Sequence, residues 1–245
     1  MDFIDSHAHL DRFPDIASTI SQARAAGCIA IVTSGYSHEA NQRGLEIAAR
    51  FPNYVFPCIG IAPSVAMDLP PSDFESQFSF VKANAPKCVA IGEIGLDFHW
   101  PTKKEQVDRE YVTFSAQLDF ALEMKIPVVI HSRKAETEAV DFLISRGAGR
   151  VLLHFFSGGV ESAKKAADAG YFFTTPPVRS RAREKVLAEV PLDLILLESD
   201  SPYVAKTPAE AVKAAELVSS AKGISTEDAI KSTAQNARRF YGLRL

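Results

Sequence analysis

Short apolar runs alternate with amphipathic segments along the whole chain. The runs are nearly continuous in Val, Ile, Leu and Phe, which is typical of parallel strands covered on both faces. Eight such runs predict strands at Asp2 to His7, Cys28 to Thr33, Tyr54 to Ile61, Cys88 to Ile94, Pro127 to His131, Val151 to Phe155, Tyr171 to Thr175 and Leu192 to Glu198.

The segments between the runs favour helices. From Lys103 to Met124, apolar residues recur every three or four positions and so line one face of a helix. Ser225 predicts the start of a last helix, which ends before Gly242. Eight strand–helix units favour a (β/α)8 TIM barrel with an extra C-terminal helix, built as one domain over residues 1–245. An open doubly wound sheet is the alternative, but no Gly-x-Gly-x-x-Gly follows any predicted strand.

Composition narrows the class of protein further. A net charge of −3 over 245 residues gives no global attraction to nucleic acid or to an anionic membrane, so any recognition of phosphate must be local. The three cysteines form no Cys-x-x-Cys pair and are expected to be buried thiols in a reducing compartment. No signal-peptide pattern is present, and no apolar run approaches the roughly 18 residues of a membrane span. We therefore expect a cytoplasmic protein without a membrane segment.

Histidines and carboxylates stand at or just beyond the ends of five predicted strands: His7 and His9 at the first, Glu93 at the fourth, His131 at the fifth, His154 at the sixth and Asp200 at the eighth. Active sites of such barrels lie at the carboxyl ends of the strands, so these side chains are predicted to converge. Imidazoles mixed with carboxylates suit Zn, Mn, Fe or Ni, and the carboxylates also admit Mg. Six ligands exceed the needs of one tetrahedral ion, which indicates two divalent ions sharing a bridging carboxylate.

Five segments together resemble the TatD-related hydrolases, which are metal-dependent barrels of the amidohydrolase type. The segments are residues 5–11 (DSHAHLD), 92–97 (GEIGLD), 131–133 (HSR), 154–158 (HFFSG) and 198–203 (ESDSPY). Members of that family are metal-dependent nucleases that often act on DNA from the 3′ end, and some relatives are linked to deacylation of D-aminoacyl-tRNA. The resemblance implies a hydrolase of ester bonds whose partner is DNA or another phosphodiester.

The resemblance also implies a role for each ligand. One divalent ion would be bound by His7, His9, Glu93 and Asp200. The ion would be Zn, Mn or Mg. Glu93 would bridge to a second metal held with His131 and His154. Asp200 would also take the proton of the attacking water. Glu93 and Asp200 are therefore the expected catalytic carboxylates.

Two departures from the family pattern concern the substrate rather than the metals. Ala62 and Ser64 stand where the family usually has two histidines, and the usual Arg-Asn-Glu-Pro segment is missing after Tyr203. An amide, lactone or aminoacyl-ester hydrolase on the same centre remains open, as does a catalytically silent binding barrel. The absence of a Gly-x-Ser-x-Gly elbow disfavours a serine hydrolase.

Other residues could bind the substrate instead. Arg133 follows a predicted ligand directly, and a guanidinium binds phosphate bidentately. Arg179 and Arg181 lie just beyond the seventh strand, where barrels often bind phosphate, although a solvated helix face explains them equally well. His99 lies past the end of the fourth strand and is a further candidate. Its neighbour Trp100 could stack on a base or cap the barrel.

Overall fold

The computed structural model describes residues 1–245 and contains all eight predicted strands. The strands are β1 (Phe3–Ala8), β2 (Cys28–Ser34), β3 (Val55–Ile59), β4 (Ala90–Asp97), β5 (Val128–Arg133), β6 (Val151–Leu153), β7 (Phe172–Thr175) and β8 (Ile195–Leu197). They pair in parallel in the order of the chain. This arrangement confirms the (β/α)8 barrel.

Two strand boundaries differ from the sequence prediction by three residues, and the others differ by at most two. Leu192–Leu194 forms a short 3₁₀ helix before β8, because Pro191 directly precedes it and the strand begins only where the chain reaches β7. At the other boundary, β4 runs beyond Ile94 to Asp97 and stays paired with β5. The extension matters because it carries Asp97 to the mouth of the barrel.

The barrel closes between β8 and β1 with little strand pairing. The Asp200 N–H donates to the carbonyl of His7 over 3.0 Å, and the His9 N–H donates to the carbonyl of Ser201 over 2.8 Å. Both bonds lie just beyond the strand ends. The seam of the barrel is therefore fastened at the residues predicted to bind metal.

Ten α-helices cover the barrel. They are α1 (Ile16–Ala25), α2 (His38–Arg50), α3 (Pro63–Ala66), α4 (Pro71–Asn84), α5 (Lys104–Met124), α6 (Glu136–Ser145), α7 (Val160–Asp168), α8 (Arg181–Glu189), α9 (Ala215–Lys222) and α10 (Thr226–Tyr241). None combines the length and the apolar character that crossing a bilayer requires. The main apolar core lies between these helices and the outer faces of the strands.

Helix α5 buries polar residues as well as the predicted apolar ones. Phe114 and Leu118 are fully buried, and so are Glu110 and Gln117 on the adjoining face. The Gln117 side chain binds both the N–H and the carbonyl of Ile61, over 2.8 and 3.0 Å. The polar residues thus tie the loops at the strand ends to the helix layer.

The predicted extra helix is α10, which closes the end of the barrel opposite the strand carboxyl ends. The Ser225 hydroxyl accepts the Asp228 N–H over 3.0 Å at its start, and Gly242 takes the left-handed conformation (φ +70°) after its end. Its apolar residues join eight strand residues from seven strands in the barrel interior. The Tyr241 hydroxyl reaches up that interior and donates to the carbonyl of Ser6 over 2.9 Å.

Candidate metal centre

His7 and His9 present their Nε2 atoms to each other at the end of β1. Both rings are held through Nδ1 by one residue at the end of β2: His7 Nδ1 lies 3.1 Å from the Ser34 hydroxyl, and His9 Nδ1 lies 3.0 Å from the Ser34 carbonyl. A carbonyl only accepts, so His9 carries a proton on Nδ1. The two Nε2 atoms are 3.2 Å apart.

Two carboxylates complete this first set of donors. Asp200 Oδ1 lies 3.4 Å from His9 Nε2 and 3.9 Å from His7 Nε2. Glu93 Oε2 lies 3.8 and 3.7 Å from the same two atoms. We call His7, His9 and Asp200 the β1 group, because all three meet at the β1–β8 seam.

A second set of donors comes from β5 and β6. His131 Nδ1 lies 2.7 Å from Glu93 Oε1, the oxygen of that carboxylate that does not face the β1 group. The His154 ring stacks on His7 with 3.6 Å between ring centroids. We call His131 and His154 the β5–β6 group, and Glu93 lies between the two groups with one oxygen turned to each.

The glycines around Glu93 explain how β4 delivers this side chain. Gly92 and Gly95 both have positive φ angles, at which other residues are strained. A Cβ at Gly92 would lie 2.6 Å from the carbonyl oxygen of Val129, and one at Gly95 would overlap the carbonyl of His131. The Gly-Glu-Ile-Gly sequence therefore lets β4 approach β5 closely enough for Glu93 to meet His131.

Buried carboxylates support the β5–β6 group from behind. Asp97 Oδ2 lies 2.8 Å from His131 Nε2, and Glu198 Oε2 lies 2.8 Å from His154 Nδ1. Asp97 also accepts the His99 N–H over 2.8 Å. Supporting carboxylates of this kind fix the orientation of metal-binding imidazoles and raise their basicity.

These surroundings move the pKa values of the histidines apart. Burial, together with the neighbouring rings of His154 and His9, lowers the pKa of His7 well below its usual value. Burial also opposes protonation of His131, but its hydrogen bonds to two carboxylates raise its pKa to about 10. His154 is buried too, and Glu198 raises its pKa to about 9.

The donor set fits bound divalent cations. Three groups of buried or half-buried side chains bring their ligand atoms within 4.8 Å of one another: His7, His9 and Asp200; Glu93, His131 and His154; and His7, His154 and Glu198. Two neutral imidazoles whose Nε2 lone pairs faced each other across 3.2 Å would repel, and a bound cation would remove that repulsion. The six predicted ligands are thus brought together in the fold, with imidazole and carboxylate donors that suit Zn or Mn.

A cavity of about 740 Å³ opens above these donors. Its charged lining outside the metal centre includes Arg12 and Arg133, and its aromatic lining comprises Tyr36, Trp100, Phe155 and Tyr203. Each arginine sits over one of these rings, Arg12 over Tyr36 at 5.1 Å and Arg133 over Trp100 at 5.2 Å. Cations and aromatic faces combined in one cleft suit a ligand that carries both phosphates and planar bases.

Of the four substrate-binding residues predicted from the sequence, the cavity contains Arg133 alone. The exposed Arg179 lies 3.6 Å from Glu184 and outside the cavity, and Arg181 begins α8 on the surface. His99 packs its ring on Trp100. Ala62 and Ser64 do line the cavity, at the place where the family pattern has histidines.

Several residues of the site have no distinct signal in the sequence. Ser34, Asp97 and Glu198 hold the histidines, yet each lies within or beside an apolar strand. Glu110 accepts the Asp97 N–H over 2.9 Å and is itself fully buried. Arg12 lies in a short 3₁₀ helix after β1. The signal that could have suggested a supporting role is the presence of Asp97 and Glu198 within the segments that resemble the TatD-related family.

Comparisons with known proteins agree with this geometry. The family described as TatD related DNase matches residues 4–242. Human deoxyribonuclease TATDN3 is 31% identical over 259 residues, covering 97% of this chain and 94% of its own. A Bacillus subtilis protein described as the uncharacterized metal-dependent hydrolase YabD is 28% identical, covering 97% of this chain and 98% of its own.

The fold is also that of solved structures. YjjV, a TatD homologue from Escherichia coli, superposes with a TM-score of 0.88 at 24% identity, covering 99% of this chain and 98% of that chain. A phosphotriesterase homology protein from E. coli superposes with a TM-score of 0.69 at 13% identity, covering 98% of each chain. With the family match over nearly its whole length, the chain belongs to the TatD-related metal-dependent hydrolases.

Proposed function

We propose that the protein is a deoxyribonuclease that uses two divalent metal ions to hydrolyse phosphodiester bonds. The observation that carries this proposal is the position of Glu93. Its Oε2 faces the β1 group at 3.7 to 3.8 Å, while its Oε1 lies 2.7 Å from His131. A buried carboxylate with one oxygen for each of two donor groups is the arrangement that two-metal hydrolysis of phosphodiesters needs.

Each ion would have its own set of ligands. The β1 group and Glu93 would hold the first, and Glu93 with the β5–β6 group would hold the second. Zn, Mn and Mg are all compatible with these donors, and availability decides among them. When bound, such ions supply Lewis-acid stabilisation of the charge on the phosphoryl oxygens.

The chain itself would position the substrate and move the proton. The Asp200 carboxylate lies at the floor of the cavity, 3.4 Å from His9 Nε2, where it can accept a proton from the attacking water. Arg133, turned into the cavity and stacked on Trp100, would bind the phosphate next to the centre. The deoxyribonuclease name of the human relative supports DNA as the substrate.

The test is to strip the protein, reload it with Zn, Mn or Mg, and measure metal content and hydrolysis together. We expect roughly two ions per chain and cleavage of short single-stranded DNA. His131→Ala should reduce the content to about one ion and abolish cleavage. His38→Ala is the matched control, because His38 begins α2 outside the donor set. A metal content near zero in the reloaded wild type would contradict the proposal.

A second candidate is hydrolysis of an aminoacyl ester, amide or lactone on the same centre. Ala62 and Ser64 favour it, because neither side chain offers a charge to a phosphate at that side of the cavity. The metal-reloaded enzyme should therefore also be assayed with aminoacyl-tRNA, RNA and a lactone. A higher kcat/KM for one of these substrates than for DNA would replace the first candidate.

A further inference from the structure

Arg12 lines the cavity with a half-exposed guanidinium. It follows the β1 ligands in a short 3₁₀ helix. Its guanidinium lies over the Tyr36 ring at 5.1 Å, and its Nε is 3.5 Å from Asp11 Oδ2. The Tyr203 side chain is a further polar neighbour of the guanidinium, and the Arg12 side chain remains 48% exposed. Tyr36, Asp11 and Tyr203 thus orient the guanidinium at the cavity wall, where it is accessible to a ligand.

Arg12 and Arg133 face the cavity from opposite sides of the barrel. Tyr36 and Tyr203, which adjoin Arg12, follow β2 and β8, so this side is built on the arc β8–β1–β2. Arg133 and Trp100 come from β5 and the end of β4. With eight strands paired in chain order, β1 and β5 are four strands apart, halfway around the barrel. The metal ligands lie between the two arginines.

These two arginines are the only Arg or Lys side chains that line the cavity. A substrate with one phosphate can occupy the metal centre and at most one of them. A chain with successive phosphates can engage the centre and both, because each guanidinium is a bidentate phosphate partner. The half-exposed rings of Tyr203 and Trp100, 58% and 52% exposed, offer a stacking face beside each arginine.

We propose that Arg12 binds a non-scissile phosphate of an oligonucleotide and so makes the enzyme select oligonucleotides over simple phosphodiesters. This inference rests on the proposed phosphodiesterase function and names the residue that would set its substrate length. Arg12 and Arg133 would supply the charges that Ala62 and Ser64, which line the cavity after β3, do not provide.

The kinetic test compares two substrates on the metal-reloaded full-length enzyme. One is a three-residue thymidine oligonucleotide and the other is bis(p-nitrophenyl) phosphate, which has a single phosphate. Arg12→Met should lower the ratio of the two kcat/KM values, oligonucleotide over simple diester, by about tenfold or more, the scale of a lost charge-assisted contact. Arg12→Lys, which keeps the charge but not the fork, should lose less of the ratio.

Arg24→Met is the matched control. Arg24 also lies over a tyrosine ring, that of Tyr54 at 4.3 Å, but that tyrosine is bonded to the carbonyl of Cys28 at the start of β2, away from the cavity. Its substrate ratio should equal that of the wild type. An unchanged ratio in Arg12→Met would overturn the inference. If the ratio is unchanged because both kcat/KM values fall equally, the effect of the substitution lies on the metal centre.

A binding measurement separates this inference from the proposed function. Fluorescence anisotropy with a labelled oligothymidylate should show weaker binding by Arg12→Met and a salt slope smaller by about 0.7, the value for one phosphate contact on a single strand. If the wild type binds in this way but hydrolyses neither substrate, the function fails and the role of Arg12 stands. If the wild type hydrolyses both and Arg12→Met binds normally, the inference fails alone. If the wild type neither binds nor hydrolyses, both fail.

Discussion

The two halves of the metal centre hold their histidines by different means. In the β1 group, the rings of His7 and His9 rest on the hydroxyl and the carbonyl of Ser34, which are neutral. In the β5–β6 group, His131 and His154 each rest on a buried carboxylate. The histidines are therefore supported by neutral groups on one side of Glu93 and by carboxylates on the other.

This difference matches the pKa values of three of the four histidines before metal binds. His9 departs from it, because a hydrogen bond to Asp200 and the charge of Glu93 raise its pKa against the effect of burial. His131 and His154, with pKa values of about 10 and 9, are protonated at neutral pH, whereas burial keeps the pKa of His7 low. A cation must displace protons to enter the β5–β6 group, since only the neutral imidazole is a ligand. The carboxylates then stabilise the metal-bound imidazoles from behind, which compensates for that displacement.

The largest effect is expected from Asp200, the member of the β1 group that we propose accepts a proton as well as binding metal. Asp200→Asn keeps the size of the side chain and one ligating oxygen but cannot accept a proton at neutral pH. Turnover should fall by about 100-fold or more, with the metal content nearly unchanged. Steady-state kinetics with elemental analysis on the same sample test this. Near-normal turnover with both ions bound would exclude Asp200 as the proton acceptor.

The next largest effect is on metal affinity, and it concerns the groups that support the histidines, Asp97 and Ser34. Asp97→Asn removes the charge behind His131 and should weaken binding of the second ion by about 10- to 100-fold. Ser34→Ala removes only the hydroxyl beside His7 and leaves the carbonyl beside His9, so its loss should be smaller. Calorimetric titration of both metal-free variants with Zn measures the difference, and a thermal melt checks that each variant is folded. A larger loss in Ser34→Ala would reverse the comparison.

The pH dependence of metal binding sharpens the same contrast. Because the pKa values of His131 and His154 are raised above the ordinary value of 6.5, protons compete with the second ion below about pH 9. Its apparent affinity should rise with pH from 6 to 9, by up to about tenfold per unit for each proton released. Titrations in buffers of different ionisation enthalpy count those protons. An affinity that is flat over this range would contradict proton displacement.

The smallest effect is on stability and comes from Glu110, which supports Asp97 from α5. Burial raises the pKa of Glu110 to about 7, above its unfolded value near 4.5, and its Oε1 has no hydrogen-bond partner. The ionised form is thus disfavoured by folding, at a cost that appears above about pH 4.5 and is complete above pH 7. Glu110→Gln should raise the free energy of unfolding by the order of 1 kcal/mol at pH 8 and by little at pH 4.5. Urea denaturation at both pH values tests this.

The fold and the convergence of the predicted ligands were accessible from the sequence because their signals are local. Each strand is an apolar run, and His7 and His9 are two residues apart on one strand, where side chains share a face. The turn of β1 into its loop keeps that relation, with the Nε2 atoms 3.2 Å apart. The last helix is marked by Ser225 and Gly242, whose cap and left-handed conformations are both present.

The roles of the residues that support the histidines, and the residues that line the substrate cavity, could not be predicted from the sequence. Both depend on which strands become neighbours in the barrel. Ser34 contacts β1 only because β2 pairs with it, and Glu198 meets His154 across β7. The predicted phosphate cluster beyond β7 is a different failure. Arg179 and Arg181 are present there, but neither lines the cavity, and Arg179 lies 3.6 Å from Glu184 instead.

The closing contacts of the barrel join the two extremes of the chain. Ser199 donates to Asp5 across 194 positions, and Tyr241 donates to Ser6 across 235. During synthesis on the ribosome, His7 and His9 emerge first and must wait for Asp200 and then for α10 before their surroundings exist. Contacts of such separation form slowly, because the entropy of closing the intervening loop is lost before the contacts contribute any stabilisation. A nascent chain released before α10 would carry every predicted metal ligand and all eight strands without the helix that closes the barrel, and is a natural client for chaperones.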